Sequence, residues 1–116
     1  MTTWRSEETE HKYTEFRAQG GLDAGCRLCA LEPLQSFQFW KLCKNDFPYD
    51  AVAQVHHMLI PKRHVTDDGL SEEELHELKT LKKGVVNDNY DYIVDSTNRT
   101  KSIPTHVHLH LLSIKK

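Results

Sequence analysis

The chain has 116 residues, enough for one packed core but not for two, so a single domain carries whatever chemistry it performs. Its 15 Lys and Arg against 17 Asp and Glu give a net charge of −2, which excludes the global basic field that gathers nucleic acid or anionic membrane. Hydrophobic residues at 38% keep it out of the disordered regime, and no apolar run approaches the roughly 20 residues of a membrane span.

Ser6, followed by Glu7 and Glu8, reads as the N-cap of a helix over residues 6–18 that Gly20-Gly21 breaks; Thr9 stands where a full capping box needs Glu or Gln. Residues 1–23 are thus an N-terminal helix and turn, and 24–116 the main body, packed as one unit. Residues 37–43 form an aromatic-rich strand that ends in the turn signal Lys44-Asn45-Asp46-Phe47-Pro48. Val52 to Ile60 is a second strand, stopped by Pro61. Ser71-Glu72-Glu73-Glu74 is a complete capping box, and Leu75, Leu78, Leu81 and Val85 recur at helical spacing, so a helix runs over about 71–88. Strands over 90–94 and 105–114 close the chain. This order predicts an α+β domain with an antiparallel sheet and two helices.

In His106-Val107-His108-Leu109-His110-Leu111 polar and apolar residues alternate, which on a strand puts three imidazoles on one face about 6.6 Å apart and Val107, Leu109 and Leu111 on the other. Cys26 and Cys29 lie in a Gly-containing turn as Cys-x-x-Cys. Two thiolates need two further ligands for tetrahedral zinc, and no His pair follows at zinc-finger distance. The rivals are a redox pair, without the βαβ context that usually surrounds one, and a coincidental spacing with no function. Cys43 reads as an inert buried thiol, and His11 and His76 as solvent-facing. The odd cysteine count and the absence of an apolar segment after Met1 lead to the expectation of a soluble, cytoplasmic protein.

The run His106 to Leu112 resembles the signature of the histidine-triad (HIT) superfamily of nucleotide hydrolases and transferases, and His56-His57-Met58-Leu59-Ile60-Pro61-Lys62-Arg63-His64 looks like its His-x-φ-φ-φ-Pro-Lys-x-His strand end, φ being apolar. The resemblance covers roughly residues 24–114 and implies a HIT-like domain over 24–116. It implies that His108 attacks the α-phosphorus of a nucleotide ester, anhydride or phosphoramidate, forming a nucleotidyl-histidine, with His110 beside the phosphate and His56 setting the histidine network. Asn45-Asp46-Phe47 is similar to a nucleotide-contacting loop of the hexose-phosphate uridylyltransferase branch, which makes Asn45 and Asp46 nucleotide-binding candidates. Asp95 occupies the place where the family carries Asn or Gln toward the phosphate, and Lys101-Ser102-Ile103-Pro104-Thr105 replaces its Gly-Gln-Ser/Thr lead-in. Ser102 or Thr105 is then the candidate donor to the leaving group, and Lys101 a candidate phosphate contact.

For the zinc-bearing branch the resemblance implies a structural zinc held by Cys26, Cys29, His64 and His106. It also implies a nucleotide-containing small molecule as partner, no nucleic acid or membrane, and a homodimer among the open states, through the exposed part of the Leu75/Leu78/Leu81 face. The alternatives are a noncatalytic nucleotide-binding module on the same fold, which Asp95 and the altered lead-in favour, and a metal-dependent oxygenase or hydrolase. The latter lacks the further carboxylate it would require after the histidines.

Overall fold

The structure, a computed structural model, describes residues 4–21, 25–100 and 103–115. Helix α1 spans Glu7–Ala18 with Ser6 as its N-cap, the Ser6 hydroxyl accepting from the Thr9 N–H. The missing half of the capping box comes from 44 residues away: the Ser6 N–H donates to Asp50 Oδ1 at 2.7 Å, where an N3 glutamate would have accepted. The helix ends in a Schellman turn. Gly20, at φ 77°, donates to the Arg17 carbonyl, and Gly21 donates to that of Phe16. Asp50 thereby ties α1 to the loop after the second strand.

A single helical turn, α2 (Arg27–Ala30), adds to the two helices expected from the sequence. The strands are β1 (Gln35–Ser36), β2 (Trp40–Lys44), β3 (Ala53–Pro61), β4 (Tyr92–Val94) and β5 (Leu109–Ile114), in one antiparallel sheet of order β1-β2-β3-β5-β4. The aromatic stretch expected to open β2 instead forms a turn. Phe37 N–H donates to the Trp40 carbonyl, and the Glu77 carboxylate accepts from the Phe39 and Trp40 N–H groups at 2.8 and 3.0 Å, doing the work of a strand partner.

Pro61 does not stop β3 but ends it from within. The Lys62 N–H donates to the Phe39 carbonyl at 2.8 Å and brackets the Trp40–Pro61 pair, so the Pro61 nitrogen faces away from β2, toward β5. With no N–H to offer there, the ladder with β5 stops at Leu59–Leu109. The strand expected over 105–114 is consequently paired only from Leu109. His106 and His108 lie on the approach to it, where Val107 N–H donates to the Val65 carbonyl.

Helix α3 (Glu72–Leu81) has the full capping box and continues through a π-turn, Lys82–Val86, into α4 (Asn87–Asn89). The widened turn changes the buried stripe. Leu78, Leu81 and Val86 enter the core, Val85 is only partly buried, and Leu75 is half exposed. They pack with Trp40, Leu42, Leu59, Leu109 and Leu111 on one sheet face. The opposite face carries Cys43, Met58 and Ile60, covered by Leu28 of α2, and it is this thinner side that bears the histidines.

Candidate functional site

His56 of β3 and His110 of β5 lie on the same sheet face as Met58, two pairs apart in the ladder. His56 Nε2 is 2.8 Å from His110 Nδ1, and the rings of His108 and His110 stand 5.2 Å apart at 76°. The hydrogen bonds settle the tautomers. Tyr49 N–H donates to His56 Nδ1 at 2.9 Å, so a neutral His56 carries its proton on Nε2 and donates it to His110 Nδ1. The Asn45 amide nitrogen also approaches His56 Nε2, at a longer 3.3 Å. His110 in turn carries its proton on Nε2. His108 Nδ1 is 2.9 Å from the His106 carbonyl, which only accepts, so the His108 lone pair is on Nε2. His56 is 5% exposed and its pKa is lowered to about 3, by burial first and then by the positive charge that His110 and Arg5 would set against it. The relay therefore starts from a neutral base. The partly buried Tyr49 ring packs tilted against His56 at 4.4 Å and His110 at 5.3 Å, and burial pushes its phenol up, so it stays protonated.

Around this relay is a pocket lined by His108, His110, Met58, Leu28 and Leu31, with Asn45, Asp46 and Phe47 from the loop after β2 and Ser96 and Thr100 from beyond β4. Asn45 uses Oδ1 to accept from the Phe47 N–H at 2.8 Å, which shapes the loop. Asp46 is paired with Arg27 at the pocket wall. Asp95 is exposed just past β4, and the wall there is made by Ser96 and Thr100. Ser102 and Lys101 fall outside the described residues. Sequence reasoning did not single out Arg5, Tyr13, Arg27 and Tyr49, which also line the pocket. Only Tyr49, directly after Asn45-Asp46-Phe47-Pro48, and Arg27, inside Cys-x-x-Cys, stood next to a motif.

His106 turns the other way. Its Nε2 lies 2.9 Å from the Pro61 carbonyl, so Nε2 carries the proton and the Nδ1 lone pair faces Cys26 Sγ and Cys29 Sγ, each at 3.4 Å. His64 Nδ1 is 3.3 Å from Cys29 Sγ, and the ligand atoms of Cys26, Cys29, His64 and His106 all lie within 4.8 Å of one another. A tetrahedral ion with bonds of about 2.0–2.3 Å has ligand–ligand edges of roughly 3.3–3.8 Å, so the group is placed to hold a metal ion. Burial and then the neighbouring Cys26 thiol push the Cys29 thiol up; a bound cation reverses that by stabilising both thiolates. His106 and His108 are thus adjacent in the histidine run but serve different centres. The buried Lys41 ammonium steadies the knuckle by donating to the carbonyls of Cys29 and Leu31 at 3.3 and 2.9 Å.

Solved structures with this arrangement of elements include a "Hit Like Protein", 17% identical with a TM-score of 0.55 over 87% of this chain and 96% of that one. Another is a HIT family hydrolase from Legionella pneumophila Philadelphia 1, 21% identical with a TM-score of 0.51 over 87% and 90%. The fold is the HIT fold. No protein-family model and no curated protein matches the chain, so likeness to HIT proteins shows in the tertiary arrangement and the short motifs. Among the described residues of this HIT-fold chain, no helix is long and apolar enough to cross a membrane.

Proposed function

We propose that this protein is a HIT-type nucleotidyl hydrolase or transferase. The observation that carries this reading is the pair of fixed tautomers: His108 holds a lone pair on Nε2, while His110 holds a proton on Nε2, and both rings line one pocket. In the proposed reaction His108 Nε2 forms a bond to the α-phosphorus of a nucleotide ester, anhydride or phosphoramidate, and the bond to the leaving group breaks with its electron pair. His110 Nε2–H donates to a phosphoryl oxygen as charge builds there, and His56 keeps His110 Nδ1 supplied with a donor so that the proton stays on the pocket side. Water or an acceptor then displaces the nucleotidyl group from His108. Asn45 and Asp46 contact the nucleoside from the loop after β2, and Asp95 and Ser102 belong to the segment expected to flank the leaving group.

The four-ligand group is read as a structural zinc centre, with Cys26, Cys29, His64 and His106 as ligands. Such an ion would pin α2 and the 62–64 segment to the approach of β5 and hold His108 in register. Its thiolates need a reducing compartment, and we place the protein in the cytoplasm. The same reading carries a homodimer covering Leu75, the part of the α3 face left exposed. Intact-protein mass spectrometry after incubation with nucleoside phosphoramidates, dinucleotides and nucleotide sugars tests the activity. A nucleotidyl adduct and released nucleotide, both lost in His108→Asn, are expected. Nucleotide binding with neither adduct nor release across the panel would leave a binding module instead.

A further inference from the structure

Helix α2 (Arg27–Ala30) has four residues, too few to hold a helical turn by its own hydrogen bonds, so its order comes from what its side chains touch. The C-terminal half is anchored. Leu28, 3% exposed, packs on Cys43, Met58 and Ile60, and the Lys41 ammonium donates to the carbonyls of Cys29 and Leu31. The N-terminal half is entered through Gly25 at φ 91°, and Cys26 occupies the N-cap position without a capping hydrogen bond from its side chain. This end is tied to two different sites. The Cys26 thiol lies 3.4 Å from His106 Nδ1 within the four-ligand group, while Arg27, between the two cysteines in sequence, lines the pocket of His108 and His110. Arg27 Nη2 donates to Asp46 Oδ2 in the loop after β2, and its guanidinium lies over the Phe16 ring of α1 at 4.6 Å and the Phe47 ring of that loop at 5.4 Å. The Asp46 side chain is 54% exposed, and so wet an ion pair fixes little by itself; the two rings hold the guanidinium in place. Arg27 engages Oδ2 and leaves Asp46 Oδ1 to accept from a nucleoside hydroxyl.

We propose that Arg27 is a positioning residue that couples the four-ligand group to nucleotide binding. When the N-terminal half of α2 is ordered, Arg27 meets Asp46 and Phe47 and supports the loop on which the nucleoside rests; a nucleotide on that loop in turn holds Cys26 and Cys29 in the arrangement that suits a metal ion. This rests on the reading under Proposed function, for the nucleotide pocket and the zinc centre alike. The element with two states is the N-terminal half of α2, ordered or frayed, and each site biases it toward the ordered form. Leu28 and Lys41 hold the other half in either form and contribute no coupling. Linkage makes the effect reciprocal, so zinc and nucleotide each tighten the binding of the other by the same factor.

The test loads the full chain with zinc, or with cobalt(II), whose tetrahedral thiolate complexes absorb visible light, and titrates it with AMP, GMP, CMP and UMP. Chelator competition is expected to show zinc held at least about fivefold tighter when the accepted mononucleotide is saturating, and the cobalt absorption is expected to shift as that nucleotide binds. Arg27→Gln keeps the metal ligands and the loop of Asn45, Asp46 and Phe47. In it the factor should fall below about twofold and the cobalt shift should vanish, while calorimetry still registers nucleotide binding. Thermal unfolding checks the variant; if it does not fold, Arg27→Lys, which keeps the charge without the planar fork, takes its place with the same loss expected. A nucleotide effect on zinc that survives loss of the guanidinium reports only metal-dependent folding and overturns the proposal. Nucleotide binding that leaves zinc affinity and the cobalt spectrum unchanged in the wild type also overturns it, with the nucleotide and metal readings left standing. A chain that takes up neither metal brings down the zinc reading and the coupling together, and one that binds none of the four nucleotides brings down the Proposed function as well.

Discussion

Lowering the pH should destabilise this protein through His56 by an amount that can be isolated. An unfolded imidazole titrates near 6.5, whereas His56 in the fold titrates at about 3, because burial and its histidine neighbours oppose the charged form. A folded-state pKa below the unfolded one means that the unfolded chain takes up the proton first. Stability is therefore full above pH 6.5 and is lost as the pH falls toward 3. At pH 5 the preference is roughly thirtyfold, so His56 alone costs about 2 kcal/mol relative to neutral pH. His57 and His106 are also pushed down by burial and add acid sensitivity of the same sign. They are unchanged in His56→Gln, whose amide can still donate toward His110 and accept from the Tyr49 N–H, so their contribution cancels in the comparison. Urea unfolding at pH 7.5 and pH 5 is the assay: wild type should lose about 2 kcal/mol more than His56→Gln. Equal losses would mean that His56 accepts a proton inside the fold, and the fixed-tautomer relay would have to be abandoned.

Two further outcomes are expected. Cys29→Ser, or exhaustive chelation, should abolish bound zinc by elemental analysis and lower unfolding stability by on the order of 3 kcal/mol, whereas His108→Asn should keep a full equivalent of metal. Zinc that leaves with His108 would place the ion in the pocket instead. Gly84→Ala should stabilise the chain by about 0.5–1 kcal/mol, since Gly84 sits inside the π-turn with open space where a Cβ would stand. A lower thermal midpoint would show that the π-turn needs glycine for a reason other than room.

The local elements were legible because their signals are local. Ser6 and the Ser71 capping box start helices where side-chain chemistry alone says they should, and Gly20 ends α1 by adopting a positive φ. The alternation through Leu109 to Leu111 depends only on strand geometry, and so does the assignment of Leu109 and Leu111 to the helix-covered core. The π-turn was not legible, because a 3.6-residue repeat selects Val85, and only packing of α3 on the sheet shows Val86 to be the better fit. Nor was the turn at Phe37–Phe39, where aromatic composition reads as strand but Glu77, 38 residues on from Phe39, takes the backbone N–H groups.

By itself the sequence determined which residues are the candidates: the histidines, the Cys-x-x-Cys pair and the loop of Asn45 and Asp46 are matters of residue type and spacing. Tertiary structure decided what each faces. A missing N–H at Pro61 ends the β3–β5 ladder at Leu59–Leu109, and beyond that point His106 rotates to the thiols while His108 remains with His110. The arginines are the plainest case. Arg5 and Arg27 reach one pocket because Asp50 binds the start of α1 and aromatic rings from two segments, α1 and the loop after β2, lie under their guanidiniums, contacts made between parts of the chain that no short-range pattern connects.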